Sequence, residues 1–185
     1  QIFSCLSGQV TNVTVMPGQD FVIKSCSDGS TYNPLLACAW QLESTDGVGT
    51  QGGGGLYLMA SLERLEIESN GNWAFPMFPG CLGEQHCTSE CIFDALHVVR
   101  GLLEPFVGGA VTSDETGQPC HEWAMSQSGY LGAYCGSAED LNDGEMGEMI
   151  QLPHVARGEA ISLIFCSDAA VQPGSGFSLR VSAVP

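Results

Sequence analysis

Basic residues are scarce in this chain. Five Lys and Arg stand against 21 Asp and Glu in 185 residues, a formal net charge of −16. Such a surface repels nucleic-acid phosphates and anionic lipid headgroups, and it attracts cations and basic partners. Long apolar runs are missing as well: no stretch of eighteen apolar residues occurs, so no transmembrane helix is expected. A basic segment followed by an apolar one, the mark of a secretory signal, is also missing; with Gln1 first, a mature, processed chain is expected. Catalytic signatures fail one by one. "CHEWAM", from Cys120, starts like H-E-x-x-H, but Met125 stands where the second histidine is needed. "YLGAYCG" is no nucleophile elbow, and "GGGG" lacks the G-K-[ST] of a phosphate loop. His86, His97, His121 and His154 show no catalytic spacing, and His97 is expected as a packed or surface residue. A non-enzyme is expected.

Cysteine, by contrast, is abundant. Nine cysteines favour a disulfide framework formed in an oxidising compartment, and hence a secreted protein. The odd count leaves at least one thiol outside any intrachain bridge. The sequon "NVT" agrees with secretion and marks Asn12 as a glycosylation candidate. Zinc held by Cys81, His86, Cys87 and Cys91 is the alternative, although that cluster has no paired C-x-x-C.

Residues 1–185 are expected to form one domain with a sizeable core. Period-two alternation recurs along the chain. In "FSLRVSAV", Phe177, Leu179, Val181 and Ala183 share one face of a strand, opposite Ser178, Arg180 and Ser182. "ISLIFCSD" is a continuously apolar strand, and "VTVMPGQDFVIKSC" is strand, Pro-Gly turn, strand. "LYLMASLERLEIES" fits a helix face through Leu58, Leu62 and Leu65, or a strand with one irregularity; the many short strands around it favour the strand. Glycine-rich turns between such strands predict an all-β, antiparallel two-sheet β-sandwich. Three segments read as insertions: residues 47–55, 70–89 and 102–133.

The stretch "CIFDALHVVRG" holds an acidic residue, Asp94, at the opening of an apolar strand. Carboxylates are rarely buried without a partner, and basic partners are few. Glu68 and Asp168 occupy similar positions at the ends of "LERLEIE" and "ISLIFCSD". Three carboxylates meeting at strand ends repel each other unless a cation lies between them. Hard oxygen ligands suit Ca²⁺.

In order along the chain, several pieces resemble the CUB domain family. They are Cys5 before the turn "MPGQDFVIKS", then "YNPLLACAW" with Tyr32, Pro34, Cys38 and Trp40, and "LMASLERLEIE". "CIFDALHVVRG", with its C-x-[YF]-D, follows, then "YCG", "ISLIFCSD" and "GFSLRVSAV". The resemblance implies a CUB-like jelly roll of the calcium-binding subset. Its Ca²⁺ ligands are Glu68, Asp94 and Asp168, with Tyr32 buttressing a ligand carboxylate and the backbone around Ser167 to Ala170 completing the shell. Where the family often has Asn or Ser after the Ser-Asp pair, this chain has "AAVQ". The resemblance also implies disulfides Cys5–Cys38 and Cys91–Cys135. Cys26, Cys81, Cys87, Cys120 and Cys166 fall outside that pattern. Cys81 or Cys87 with Cys120, and Cys26 with Cys166, are the pairings considered for them.

The expected function is a secreted, calcium-binding module for extracellular protein–protein interaction or adhesion. Its partner is expected to be basic at the contact. Self-assembly into an extracellular fibre, coat or matrix is the first alternative, and carbohydrate binding the second. Trp73, Phe75 and Trp123 lie in the insertions; they form either a small satellite core or exposed anchors for a partner.

Overall fold

The computed structural model describes residues 1–16, 18–26, 32–44, 57–67, 94–106, 111–112, 114–137, 150–151, 159–169 and 176–184. The strands are β1 (Ile2–Ser4), β2 (Val10–Val15), β3 (Asp20–Lys24), β4 (Ala37–Ser44), β5 (Tyr57–Ile67) and β6 (Ala95–Arg100), followed by β7 (Tyr130–Tyr134), β8 (Gly136–Ser137), β9 (Ile150–Gln151), β10 (Ala160–Cys166) and β11 (Gly176–Val184). Among the described residues one helix, α1 (Gln118–Ser126), precedes β7.

Two sheets face each other. One runs β1-β3-β11-β5-β8, with β9 also on β5; the other runs β2-β4-β10-β6-β7. The β-sandwich read from the sequence is present, with one correction to its strand directions. The sheets are mixed, because β1 pairs with β3 and β2 pairs with β4 in parallel. Both parallel pairs lie at sheet edges, so the central ladders remain antiparallel.

Between the sheets lies an apolar core. β11 supplies Phe177, Leu179, Val181 and Ala183, the alternating face legible in the sequence. β4 supplies Trp40 and Leu42, and β10 supplies Ile161, Leu163 and Phe165. Trp40 meets Phe177 edge to face at 5.8 Å, and Phe177 meets Phe165 at 5.4 Å. Such contacts add to the burial of aromatic area. The ambiguous segment is the strand β5. Opposite β11 its register slips between Leu62 and Arg64, leaving Glu63 as the extra residue.

β10 is buried along its whole length, which a two-layer sandwich does not explain. The reason is a second, smaller core on the outer face of its sheet. Ala37, Ala39, Val99, Ile164 and Cys166 meet Val111 and the Cys120, Trp123 and Ala124 face of α1 there. Those helical residues recur at the spacing that puts them on one side. Gly117, left-handed at φ 67°, opens the helix, and a proline follows in its first turn. Gln127, extended, ends it. The segment 102–133 therefore contains a helix and the strand β7, where an insertion of loops is expected from the sequence.

Trp123 is corrected accordingly. Its ring is buried, its Nε1–H donates to the Glu104 carbonyl at 2.9 Å, and Phe106 packs edge to face on it. It belongs to the satellite core and is no exposed anchor. Trp73 and Phe75 lie outside the described residues.

Cys5 and Cys38 are bonded as the resemblance implies. Cys135 is also in a disulfide, while Cys91, its expected partner, lies outside the described residues. The pairings considered for Cys26, Cys120 and Cys166 are overturned, and Cys81 and Cys87 lie outside the described residues. Cys120 is bonded to Cys166, which fastens α1 to β10, and Cys26 is a half-buried thiol. α1 lands on the outer face of β10, so Cys166 meets the helix there and not β3, where Cys26 follows. No helix of the described residues is long and apolar enough to cross a membrane.

Candidate metal centre

β6 and β10 run antiparallel with Ala95 opposite Cys166. Asp94, just before β6, and Asp168, two residues beyond β10, therefore emerge at the same end of the sheet. β4 starts at that end too, with Ala37 opposite Cys166. The loop leading into β4 is zipped to the chain after β10. Leu36 N–H donates to Ser167 Oγ at 2.8 Å, and Ser167 N–H donates to the Leu36 carbonyl at 2.9 Å. Leu35 N–H donates to the Asp168 carbonyl at 2.8 Å. Leu35 follows Pro34 in the turn with φ 59°, a left-handed conformation uncommon for a branched side chain. The carbonyl of Asp168 holds it there.

Asp94 is fully buried. Its Oδ1 accepts the Asp168 N–H at 2.8 Å, and its Oδ2 accepts a short hydrogen bond from the Tyr32 hydroxyl. Tyr32 is itself set by packing, edge to face against Phe165 at 5.4 Å. A line of aromatic contacts thus runs from Trp40 through Phe177 and Phe165 to Tyr32 and ends on the carboxylate. Burial pushes the Asp94 carboxyl from 3.8 up to about 6. The hydrogen bonds from Tyr32 and Asp168 pull it down, and the Asp168 carboxylate pushes it further up. No basic group of the described residues contributes. Arg100 and Arg180 pair elsewhere, with Glu159 and Glu63.

The expected residues are partly brought together. Asp94, Asp168 and Tyr32 converge. Glu68 lies outside the described residues; β5, which ends at Ile67, approaches the same end, since its Glu66 pairs with Gly176 and Gly176 abuts Tyr32. Of the backbone expected to complete the shell, Ser167 to Ala169 is described and Ala170 lies outside the described residues. The Asp168 carbonyl accepts from Leu35 N–H, Ser167 N–H donates to the Leu36 carbonyl, and Ala169 N–H donates to the Glu115 carbonyl. Asn12 is exposed on β2, its Oδ1 accepting from Gln41 Nε2 at 2.7 Å.

The donor chemistry fits a hard divalent cation. Two buried acidic residues meet at one end, and Asp94 is forced out of its normal titration range.

No protein-family model matches the chain, and no curated protein is significantly similar in sequence. Solved structures are similar. The CUB1-EGF-CUB2 domains of rat MASP-1 superpose over 95% of this chain and 43% of that chain, with a TM-score of 0.53 at 15% identity. The chain therefore spans less than half of that protein's solved length. The fold is CUB-like. The CUB2 domain of MASP-1 bound to Ca²⁺ matches over 96% of this chain and 99% of that one (TM-score 0.47, 14% identity). The extracellular region of zebrafish Gpr126/Adgrg6 matches over 95% of this chain and 15% of that one (TM-score 0.45, 15% identity).

The closing "GF" of the CUB-like chain has a physical reason. Gly176 has φ 77°, and a Cβ there would lie 1.8 Å from Ser25 Oγ and 3.3 Å from Tyr32 Cδ1. Ser25 Oγ is already the acceptor for Phe177 N–H. Gly176→Ala is therefore expected to lower stability by about 1–3 kcal/mol, as a side chain in the left-handed region does. Urea unfolding measures this, and a variant as stable as the parent removes the argument.

One pair of residues escaped the sequence altogether. His97 and His121 are buried against each other, Nε2 to Nδ1 at 2.8 Å. They lie 24 positions apart, and only the packing of α1 on β6 joins them.

Proposed function

We propose that this CUB-like chain is a secreted, non-enzymatic module whose Asp94–Asp168 end takes up Ca²⁺ and receives a basic side chain of an extracellular protein. The observation that carries the reading is the buried Asp94 carboxyl, pushed up to about 6 by burial and raised further by the Asp168 carboxylate beside it. Glu68 is the third ligand of this reading. Tyr32 and the Asp168 N–H hold Asp94 in a fixed direction, so little side-chain freedom remains to be lost on binding. The bound ion supplies a hard double positive charge for these oxygens. The disulfides Cys5–Cys38 and Cys120–Cys166 support an oxidising compartment.

Calcium is expected to raise the melting temperature, and a chelator to lower it. At a hundredfold excess over Kd, a ligand specific to the native state adds about 2.7 kcal/mol. Calorimetry with Ca²⁺, Mg²⁺ and chelator tests this, and identical melting curves in all three sink the calcium reading. For a purified extracellular partner, affinity is expected to fall with chelator and with rising ionic strength. Binding that persists in chelator and strengthens in high salt instead moves the contact to an apolar surface, with Trp73 and Phe75 as its candidates.

A further inference from the structure

A second set of ligand-type side chains lies on the outer face of the β10 sheet. His97 of β6 has Nε2 against His121 Nδ1 of α1, and its Nδ1 lies 3.1 Å from the Tyr130 hydroxyl of β7. Cys166 of β10 joins them: one ligand atom each from His97, His121 and Cys166 lies within 4.8 Å of the other two. Cys120, next to His121 on α1, is bonded to Cys166. All four are buried.

Two imidazoles and two sulfurs are the donor set of a tetrahedral zinc site. Bonded to each other, the sulfurs are poor ligands and serve as a staple. We propose that, when a dithiol reductant opens Cys120–Cys166, His97, Cys120, His121 and Cys166 become a Cys₂His₂ site for Zn²⁺, and the metal replaces the disulfide as the fastening of α1 to the sheet.

The step balances. The reductant gives two electrons and two protons and becomes a disulfide, while Cys120 and Cys166 become thiols. Zn²⁺ then displaces both thiol protons to solvent. The resulting centre, two thiolates and two neutral imidazoles on Zn²⁺, has no net charge. It therefore avoids the cost of burying an isolated ion. Burial, with His121 adding to it, holds His97 well below its ordinary titration range, so its imidazole is neutral and able to ligate. Ligand atoms around tetrahedral zinc lie about 3.3–3.8 Å apart. The two imidazole nitrogens, at 2.8 Å, must move apart by about 0.5 Å, and the two sulfurs, bonded at 2.03 Å, must separate by about 1.5 Å once the bond is opened. With the His97 Nδ1–H donating to Tyr130, Nε2 presents its lone pair to the metal. Burial pushes the Tyr130 phenol up to about 12, so it stays protonated.

The test uses the full chain, reduced with a dithiol and titrated anaerobically with Co²⁺. The reduced protein is expected to bind one Co²⁺ with tetrahedral visible bands and thiolate-to-cobalt charge transfer, both abolished by Zn²⁺. The oxidised protein and reduced Cys120→Ala/Cys166→Ala, which keeps the other cysteines, are expected to show neither. His121→Asn tests the imidazole share: its oxidised form keeps the disulfide and the fold, and its reduced form loses the tetrahedral signature. Tyr130→Phe is expected to weaken cobalt binding about 10–100-fold. A reduced parent chain without tetrahedral cobalt overturns the proposal. So do bands that survive in the double cysteine variant or in His121→Asn.

Discussion

Asp94→Asn is expected to make the calcium-free protein more stable at neutral pH and, at once, to abolish its response to calcium. The first effect follows from burial. The native state holds the Asp94 proton up to about pH 6, against 3.8 for the ordinary group, so ionised Asp94 opposes folding. The sign is that of a raised acid: its contribution to stability is complete below the unfolded pKa and is lost as pH rises through the folded one. Calcium-free protein should therefore lose stability between about pH 4 and pH 6, and the shift is worth on the order of 3 kcal/mol. Asparagine carries no charge to desolvate. Its carbonyl can still accept the Asp168 N–H, and its amide can donate to Tyr32, whose hydroxyl then turns to accept. A gain of about 1–3 kcal/mol at pH 7 without calcium is expected. The second effect has the opposite sign, because the ion binds the ionised carboxylate. The gap between calcium-loaded and calcium-free melting temperatures should widen as pH rises through 6 in the parent chain and stay closed in the variant. An Asp94→Asn protein that is less stable than the parent in chelator refutes the desolvation argument. A variant that still answers calcium refutes the ligand assignment.

Trp40→Ala is expected to cost about 3–5 kcal/mol, the usual loss for removing a large aromatic from a closed core. Trp40 is fully buried between the sheets and leans edge to face on Phe177. The aromatic line beyond it ends on Tyr32, so the variant should also bind calcium more weakly. Trp40→Phe separates volume from polarity. The Trp40 Nε1–H is buried without a hydrogen-bond partner among the described residues, and such a donor carries a desolvation cost. Phenylalanine removes that donor along with part of the ring, so it should cost less than half of what alanine costs. Equilibrium denaturation measures both; equal costs would show that the orphaned N–H is not a liability.

The parts legible in the sequence are those where one face of a strand meets one core. Phe177, Leu179, Val181 and Ala183 alternate because β11 has the core on one side and Arg180 in solvent on the other. Asp94, Asp168 and Tyr32 were named from their motif neighbourhoods, and the strand order brings them together. Legibility failed where a second layer intervenes. The unbroken apolar run of β10 is legible as a strand, but the helix that covers its outer face is not. The cover, α1, is short and holds Pro, Cys, His, Trp and Ser among better helix formers, so its period is weak. The Cys120–Cys166 bond and the His97–His121 contact follow from that docking alone, and spacing cannot announce either. The left-handed Leu35 was equally hidden, since glycine is the usual signal there.

The order of strands in the sheets has a consequence for how the protein is made. β10 lies between β4 and β6, and β11 lies between β3 and β5. Each sheet thus takes a central strand from late in the chain, and the strands that flank it wait for it during synthesis. A ribosome-bound chain that stops before residue 160 has β3, β4, β5 and β6 but neither ladder that joins them. Closure of the sandwich is a late event across long stretches of sequence, the kind of pairing that folds slowly. Until then those strand edges remain open to other chains, the condition under which nascent proteins aggregate and chaperones are needed.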